Sequence, residues 1–255
     1  MTMLDMPVPP APDSLNGRVV LVTGASRGLG RAVAMAAAGH GARVLLLARD
    51  VRRLEEVADA IEASGAPAPL LVPCNLENTT VDDHAAIASH VREHCGHLDG
   101  LVLNAAMLGT LCSFEHQDPV LWARVFQVNV HAPFLLLQAC LPLLRAAPSA
   151  SVLGVSSSVG RRGRAYWGAY AASKFALEGM LQTLADELRD VSRVRVNSVN
   201  PGRLRTRMRA EAYPAEDPTT LPTPEDVAPA FVHLLGSEHP YHGVALTLPA
   251  ATAVR

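Results

Sequence analysis

Short apolar runs alternate with amphipathic stretches along most of the chain. This alternation is typical of parallel β-strands that are joined by crossover helices. The apolar runs predict seven strands, at Val19–Thr23, Arg43–Leu47, Leu70–Pro73, Leu98–Leu103, Ala150–Val155, Arg195–Val199 and Val244–Leu248.

The strands have the composition of a sheet that is covered on both faces. Val44–Leu47 is continuously apolar, as expected where helices pack on either side. Asp50 is placed to cap a helix that carries Leu54, Val57 and Ile61 on one face. The pattern therefore predicts an α/β fold: a single Rossmann-type doubly wound domain with a seven-stranded parallel sheet flanked by helices, whose ligands bind beyond the carboxyl ends of the strands.

Length and composition agree with one domain. The chain has 255 residues, and 49% of them are hydrophobic, which is ample for a core. A net charge of −2 gives no basic excess for nucleic acid, and no apolar run approaches the roughly 18 residues of a membrane span. We expect a flexible proline-rich arm over residues 1–16, which lacks the features of a signal peptide, a single NAD(P)-binding domain over residues 17–255, and a cytoplasmic location.

The cysteines and histidines suggest neither a disulfide framework nor a metal site. The four cysteines contain no CxxC pair and fit reduced thiols in a cytoplasmic protein; they are Cys74, Cys95, Cys112 and Cys140. Three histidines recur at helical spacing, but the charges beside them indicate a solvated helix end rather than a closed ligand set; they are His90, His94 and His97. We predict no metal.

A glycine-rich turn, Thr23–Gly30 with the sequence TGASRGLG, directly follows the first predicted strand. Glycines permit positive φ and let a backbone approach a pyrophosphate closely. The free amides and the positive end of the following helix attract its charge. The turn predicts a dinucleotide cradle, the alternative being a glycine-rich turn that binds nothing.

A second motif brings a phenol, an ammonium and a hydroxyl within reach of one carbonyl group. Tyr170 and Lys174 are four residues apart and share a face of a helix, and Ser157 lies thirteen residues before the tyrosine. A free tyrosine titrates near about 10, so it needs a neighbouring cation to exchange protons at neutral pH. The alternative is a buried tyrosine and a solvated lysine that happen to be four apart.

Further polar residues follow the predicted strands. Asn104-Ala105 ends the fourth strand, Ser156–Ser158 ends the fifth, and Asn200–Gly202 ends the sixth, with Thr206 four residues later. Asn129 lies in the helix between strands four and five, where it could also simply satisfy the core. These positions fall at the edge of the sheet where ligands are expected.

From about Gly17 to Leu248, these motifs and their order resemble the short-chain dehydrogenase/reductase family. Within the family, Ser156–Ala176 and Tyr213–Pro218 resemble the YciK-type bacterial oxidoreductases. The resemblance implies an enzyme that transfers hydride between a nicotinamide and a small-molecule carbonyl or secondary alcohol. It also implies a homodimer or homotetramer, paired through the helix carrying Tyr170–Leu188 and the helix before strand five.

The resemblance assigns roles to four catalytic residues. Tyr170 protonates the carbonyl oxygen, or removes the alcohol proton in the reverse direction. Lys174 binds the nicotinamide ribose hydroxyls and lowers the pKa of the tyrosine. Ser157 donates a hydrogen bond to the substrate oxygen, and Asn129 holds a water that links the lysine to solvent.

The end of the second strand favours NADP(H) over NAD(H). Ala48 occupies the position where an NAD enzyme needs a carboxylate, and Arg49 and Arg27 could both bind the 2′-phosphate. The alternative is two solvated arginines, with Asp50 as a helix cap. The predicted cofactor contacts are Thr23, Gly24, Ser26, Arg27, Gly28, Leu29, Gly30, Arg49, Asn75, Leu76, Asn104, Ala105, Tyr170, Lys174, Pro201, Gly202 and Thr206.

Three positions depart from the family pattern, and the substrate is not specified. Ala106 adds a methyl beside the cofactor, Asn75 replaces an aspartate at the adenine, and Leu246–Pro249 lacks an Asp-Gly-Gly ending. Residues 203–222 contain helix breakers and predict a lid. Its arginines, with those after Ser157, either steer an anionic substrate or are solvated or bound to cofactor phosphate; they are Arg161, Arg162, Arg164, Arg203, Arg205, Arg207 and Arg209.

Two other functions share this fold. A non-catalytic NADP-binding sensor or scaffold could keep it, since a fold alone does not define a function, although such proteins can lose the proton-transfer residues that are present here. A sugar-nucleotide epimerase or dehydratase would bring a longer substrate domain.

Overall fold

The computed structural model describes residues 2–4 and 10–249, which form one parallel sheet between two layers of helices. The strands are β1 (Thr2–Met3), β2 (Val19–Thr23), β3 (Arg43–Ala48), β4 (Leu70–Pro73), β5 (Gly100–Leu103), β6 (Ala150–Val155), β7 (Val194–Asn200) and β8 (Ala245–Thr247). Their spatial order is β1-β8-β7-β6-β5-β2-β3-β4, and every neighbouring pair is parallel. The predicted doubly wound α/β fold is confirmed.

Helices connect the strands. They are α1 (Gly28–Gly39), α2 (Val51–Ala63), α3 (Val81–Cys95), α4 (Pro119–Phe126), α5 (Ala132–Ala146), α6 (Gly168–Leu188), α7 (Arg207–Ala212) and α8 (Pro224–Leu235). Asp50 caps α2 as predicted, because its side chain accepts from the Arg53 amide at 3.2 Å. A π-helical turn, Gln127–His131, joins α4 to α5.

The sheet has eight strands rather than the predicted seven. The additional strand is β1, in which Thr2 and Met3 pair with Leu246 and Thr247. Leu4 follows it and is buried, so residues 2–4 differ from the expected loose arm; residues 5–9 of that arm lie outside the described residues. The physical reason is that β8 would otherwise be an edge, whose free amides and carbonyls pair with an adjacent extended segment.

Two apolar layers cover the two faces of the sheet. Alternate side chains of β2 belong to different layers: Val20 and Val22 pack with α1 and α8, whereas Val19 and Leu21 pack with α3, α5 and α6. The buried runs predicted from sequence are therefore central strands. The direction of winding reverses between β2 and β5, and this reversal opens a crevice at their carboxyl ends.

One helical stretch within the described ranges, Pro119–Ala146, is long and apolar enough to cross a membrane by length and composition alone. Its second half includes Leu136, Leu143 and Leu144, which are buried against the sheet. The core of the domain thus accounts for these apolar residues, and the stretch is weak evidence for a span.

Candidate active site

A cleft of about 880 Å³ lies at the carboxyl ends of the central strands. It brings together most of the predicted site, namely Gly24, Ser26, Arg27, Gly28, Leu29, Arg49, Asn75, Leu76, Asn104, Ala105, Ser157, Tyr170, Lys174, Pro201, Gly202 and Thr206. Three predicted residues do not line it: Thr23, Gly30 and Asn129. Their contacts lie behind the cleft wall.

The glycine turn has the backbone that its sequence predicted. Gly24 and Gly28 adopt φ values of +69° and +54°, which side-chain-bearing residues rarely adopt. A Cβ on Gly24 would lie 2.9 Å from Asn104 Nδ2, and a Cβ on Gly30 would collide with the Gly24 carbonyl oxygen. Gly30 therefore permits the helix to start close to the strand, and the N-terminus of α1 faces the cleft.

A set of hydrogen bonds joins β2 to β5 beneath this turn. The Thr23 hydroxyl accepts from the amides of Asn104 and Ala105 at 2.9 and 3.0 Å and donates to the Val102 carbonyl. The Asn104 side chain donates to the Thr23 carbonyl at 2.9 Å. Thr23 and Asn104 thus fix the floor of the crevice.

The cleft beyond β3 and β4 is lined by exposed charged groups. Arg49 Nη1 lies 2.8 Å from Glu77 Oε1, and Arg124 from α4 donates to Glu77 Oε2 at 2.7 Å. Glu77 was not among the residues predicted from the sequence, although it directly follows Asn75 and Leu76 after β4. The carboxylate holds the Arg49 guanidinium at the cleft wall.

Helix α6 carries the predicted proton-transfer pair. Tyr170 and Lys174 are 8% and 2% exposed. Burial raises the pKa of Tyr170 to about 12 and lowers the pKa of Lys174 to about 8, against the opposing charge of Glu178. Lys174 Nζ donates to the Val155 carbonyl at 2.7 Å and lies 5.6 Å from the tyrosine ring centroid.

The pKa of Tyr170 is thus shifted in the direction opposite to the expected one, because burial disfavours the charged phenolate. The Lys174 ammonium bonds to a carbonyl instead of to the phenol. At neutral pH the Tyr170 hydroxyl remains protonated, which is the form that can donate a proton.

The three serines after β6 occupy different environments. Ser157 is half-buried on the cleft wall, and its hydroxyl accepts a long bond, 3.4 Å, from the Val159 amide. Its hydrogen can still be donated to an oxygen in the cleft. Ser156 also lines the cleft, with a buried Oγ that has no hydrogen-bond partner among the described residues, and Ser158 is exposed. Ser157 remains the best-placed donor.

Asn129 lies in the π-helical turn and is 1% exposed. Its Oδ1 accepts from the Met107 amide at 2.7 Å, and its Nδ2 donates to the Met107 carbonyl and to Ser173 Oγ, each at 2.9 Å. Both N–H groups of the side-chain amide are used by these partners, so the side chain can bind a further water only through the second lone pair of Oδ1. The side chain of Asn129 positions the segment after β5.

Comparison with known proteins agrees with this geometry. The family model for short chain dehydrogenases matches residues 18–217. The protein named uncharacterized oxidoreductase YciK from Escherichia coli K12 is 47% identical over 229 residues, which cover 90% of each chain. This chain belongs to the short-chain dehydrogenase/reductase family. The predicted likeness to the YciK-type branch is confirmed.

Two solved structures of the family are closely similar. A short chain dehydrogenase from Shigella flexneri 2a, complexed with NADP, is 45% identical with a TM-score of 0.90. One from Escherichia coli CFT073, complexed with NADPH, is 47% identical with a TM-score of 0.90. Each comparison covers 93% of this chain and 99% of the other.

In this short-chain dehydrogenase, a buried ion pair lies behind Lys174. Glu178, one helical turn beyond the lysine, pairs with Arg161 at 2.9 Å and accepts from Ser198 Oγ at 2.6 Å. Arg161 also donates to Thr247 Oγ1 at 2.8 Å and to a β8 carbonyl. Arg161 is thus neither a solvated loop residue nor a steering charge, and it anchors the strand that lacks the family's Asp-Gly-Gly ending.

The arginines of residues 203–222, the predicted lid, also bond within their own segment. Arg205 donates to three lid carbonyls, those of Pro218, Thr219 and Leu221. Ion pairs join Arg207 to Glu211 at 2.7 Å, and both Arg209 and Arg203 to Glu216, the latter at 3.8 Å. Arg203, Arg205 and Arg207 are exposed, as the alternative of solvated loop arginines expects, and their bonds within the segment were not predicted from the sequence.

Proposed function

We propose that this protein is an NADP(H)-dependent oxidoreductase that transfers hydride between the nicotinamide and a carbonyl or secondary alcohol. The carrying observation is that Tyr170, Ser157 and Lys174 line one end of a cleft whose other end is the glycine turn. An acid, a hydrogen-bond donor and a cation beside a dinucleotide cradle are the groups that carbonyl reduction requires.

The residues present fit a dinucleotide. Gly24 and Gly28 line the cleft with positive-φ backbone at the N-terminus of α1, where a pyrophosphate would approach the main chain closely. Arg49 and Arg27 would bind the 2′-phosphate, since Ala48 offers no carboxylate to a ribose 2′-hydroxyl. The NADP and NADPH complexes of the two similar dehydrogenases support this choice.

The remaining cofactor contacts follow from the lining of the cleft. Asn75 and Leu76 would bind the adenine, and Asn104-Ala105, Pro201-Gly202 and Thr206 would surround the nicotinamide half. Lys174 would bind the ribose hydroxyls. Bound NADPH supplies the hydride.

Tyr170 supplies the proton in the reduction. Its raised pKa keeps the phenol protonated until an oxygen with developing negative charge accepts the proton. Ser157 donates a hydrogen bond to the same oxygen, which holds the carbonyl in place. In the oxidation of an alcohol, the tyrosinate would take the proton back, and the Lys174 ammonium would stabilise that anion.

The protein as a whole is proposed to be a single domain over residues 17–255 with a lid at 203–222, in the cytoplasm. Pairing of subunits into a homodimer or homotetramer is proposed through α5 and α6. Phe134 and Phe175 support it, because each presents an exposed aromatic ring on one of these helices.

Oxidation of NADPH by the purified protein tests the function, using a panel of aldehydes, ketones, diketones and quinones. Tyr170→Phe should lower turnover by about 1000-fold and leave NADPH affinity unchanged. Tyr166→Phe is the matched control, because Tyr166 is 64% exposed. Equal turnover by wild type and Tyr170→Phe would refute the proposed acid. Tight NADPH binding without turnover of any carbonyl would favour a sensor or scaffold instead.

A further inference from the structure

Apolar side chains surround Tyr170 at its end of the cleft. We call them the apolar wall; they are Ala106, Leu108, Trp167, Met208 and Ala212. They come from the segment after β5, the start of α6 and the lid, so three parts of the chain enclose the hydroxyl that donates the proton. A substrate oxygen at Tyr170 must place the rest of its molecule against this wall.

The arginines of residues 203–222 that line the cleft near the wall already have partners within that segment. Arg205 donates to three carbonyls, and Arg207 and Arg209 are paired with carboxylates. One of those carboxylates, Glu211, lines the cleft too. The Arg209 guanidinium also lies 3.7 Å from the centroid of the Tyr213 ring. An anionic substrate would have to break one of these pairs or lie unpaired against apolar groups, and either costs free energy.

An arginine without an ion pair among the described residues, Arg27, lines the opposite end of the cleft, where the 2′-phosphate is proposed to bind. Arg49 and Arg53 line that end too, each paired at the surface with a neighbouring carboxylate, Glu77 and Asp50. Arg162 and Arg164 are not part of the cleft lining, although the Arg164 guanidinium lies 5.9 Å from the centroid of the Trp167 ring. In the described part of the lining, the cation at the wall that is not bonded within residues 203–222 is Lys174, which donates to the Val155 carbonyl and is proposed to bind the ribose.

Trp167 is held in this wall by an unusual backbone. The preceding residue, Tyr166, has φ +73°, a left-handed conformation that is strained for a residue with a Cβ. Such strain persists where the surroundings fix the chain, often at functional sites. Trp167 then packs edge-on to Tyr170, with ring centroids 5.9 Å apart.

We propose that the substrates are uncharged ketones or aldehydes with an extended apolar body that binds against the apolar wall. This inference rests on the proposed function, whose carbonyl position at Tyr170 it uses. It replaces the anionic substrate that the number of loop arginines suggested.

The test is calorimetric binding of ketones to the complex of the wild-type protein with NADP⁺, in which no hydride can be transferred to a ketone. A series of 2-butanone, 2-hexanone and 2-octanone should bind with affinity that rises at least about 10-fold along the series, since a fully buried methylene contributes about fourfold. The matched anion, 7-oxooctanoate, should bind at least about 10-fold more weakly than 2-octanone, with no gain at low salt.

Two variants locate the effect. Met208→Ala should weaken 2-octanone about 3- to 10-fold and leave 2-butanone within about twofold. Met180→Ala, a half-buried methionine that packs on the opposite core, should change neither. Affinity that is flat along the ketone series, or binding of 7-oxooctanoate that equals or exceeds 2-octanone and weakens with salt, would overturn the inference. Binding involves no chemistry, so its outcome is separate from the turnover assay that tests the proposed function.

Discussion

The two ends of the cleft differ in the exposure of the charged and titratable groups that line them. The end near Arg49 is exposed and charged: its arginine is 62% exposed and pairs with Glu77 at the surface. The end near Tyr170 is buried, and desolvation shifts the pKa of both Tyr170 and Lys174. Under the proposed function, the phosphate would be bound by solvated charge, whereas the proton would be transferred by groups whose pKa values burial has shifted.

The largest change in cofactor affinity is expected at the glycine turn, because it is rigid backbone at an otherwise solvated end of the cleft. Gly30→Ala should reduce NADPH affinity about 1000-fold, because the new methyl collides with the Gly24 carbonyl oxygen. Gly39→Ala is the control in the same helix, as a Cβ there meets nothing within 4 Å. Fluorescence titration of NADPH measures both, and circular dichroism checks that the fold is kept. Unchanged affinity in Gly30→Ala would show that the turn relaxes.

The ion pairs at the two ends should contribute differently to the unfolding free energy of the protein. Arg161→Met leaves Glu178 buried with the Ser198 hydroxyl as its remaining partner, and should cost about 3 kcal/mol of unfolding free energy. Arg124→Met breaks a pair whose arginine is 53% exposed, and should cost less than about 1 kcal/mol. Urea unfolding compares the two variants. Equal losses would mean that burial does not distinguish the pairs.

Cofactor choice should depend on the exposed end. Arg49→Ala should weaken NADPH binding about 30-fold, or about 2 kcal/mol, through loss of a charge-assisted bond to the phosphate, and leave NADH binding unchanged. Arg52→Ala is the control, because its side chain is 88% exposed and pairs with Glu56. Titration of both nucleotides gives the ratio. A parallel loss of NADH affinity would contradict a role in reading the phosphate.

The smallest effect should appear as a pH dependence at the buried end. The folded-state pKa of Lys174, about 8, is below the ordinary value of 10.5, so the unfolded chain binds more protons between these values and stability rises with pH. From pH 8 to 10 the unfolding free energy of the wild type should increase by about 2 kcal/mol relative to Lys174→Met. Both proteins keep Tyr170, so its titration cancels. A difference that does not vary with pH would refute the depressed pKa.

Central strands and the glycine turn could be predicted from sequence because their causes are local. Val44–Leu47 is apolar on both faces, and its burial requires no knowledge of the partner strand. Gly24 and Gly28 have the positive φ values that their spacing implied. β1 could not be found in this way, since two residues carry no pattern and their strand conformation depends on β8.

Residues whose partners are distant in sequence were missed for the same reason. Glu178 lies one helical turn after Lys174, and nothing in the local sequence distinguishes it from an ordinary surface carboxylate. Its partner Arg161 comes from the segment after β6. Glu77 is an unremarkable loop carboxylate until Arg124, 47 positions away, reaches it from α4. The sequence shows that the loop arginines carry charge. Their ion pairs and hydrogen bonds form only when residues 203–222 fold.

The bonds between Thr23 and Asn104 determine which parts of the protein can move when a ligand enters. They tie the two strands on either side of the topological reversal to each other, and both strands are buried in the sheet. The base of the crevice is therefore as immobile as the core, and opening or closing around a guest must come from the segment above it. The rate at which a ligand enters and leaves should accordingly depend on motion of that upper segment, while the base of the crevice formed by β2 and β5 stays in place.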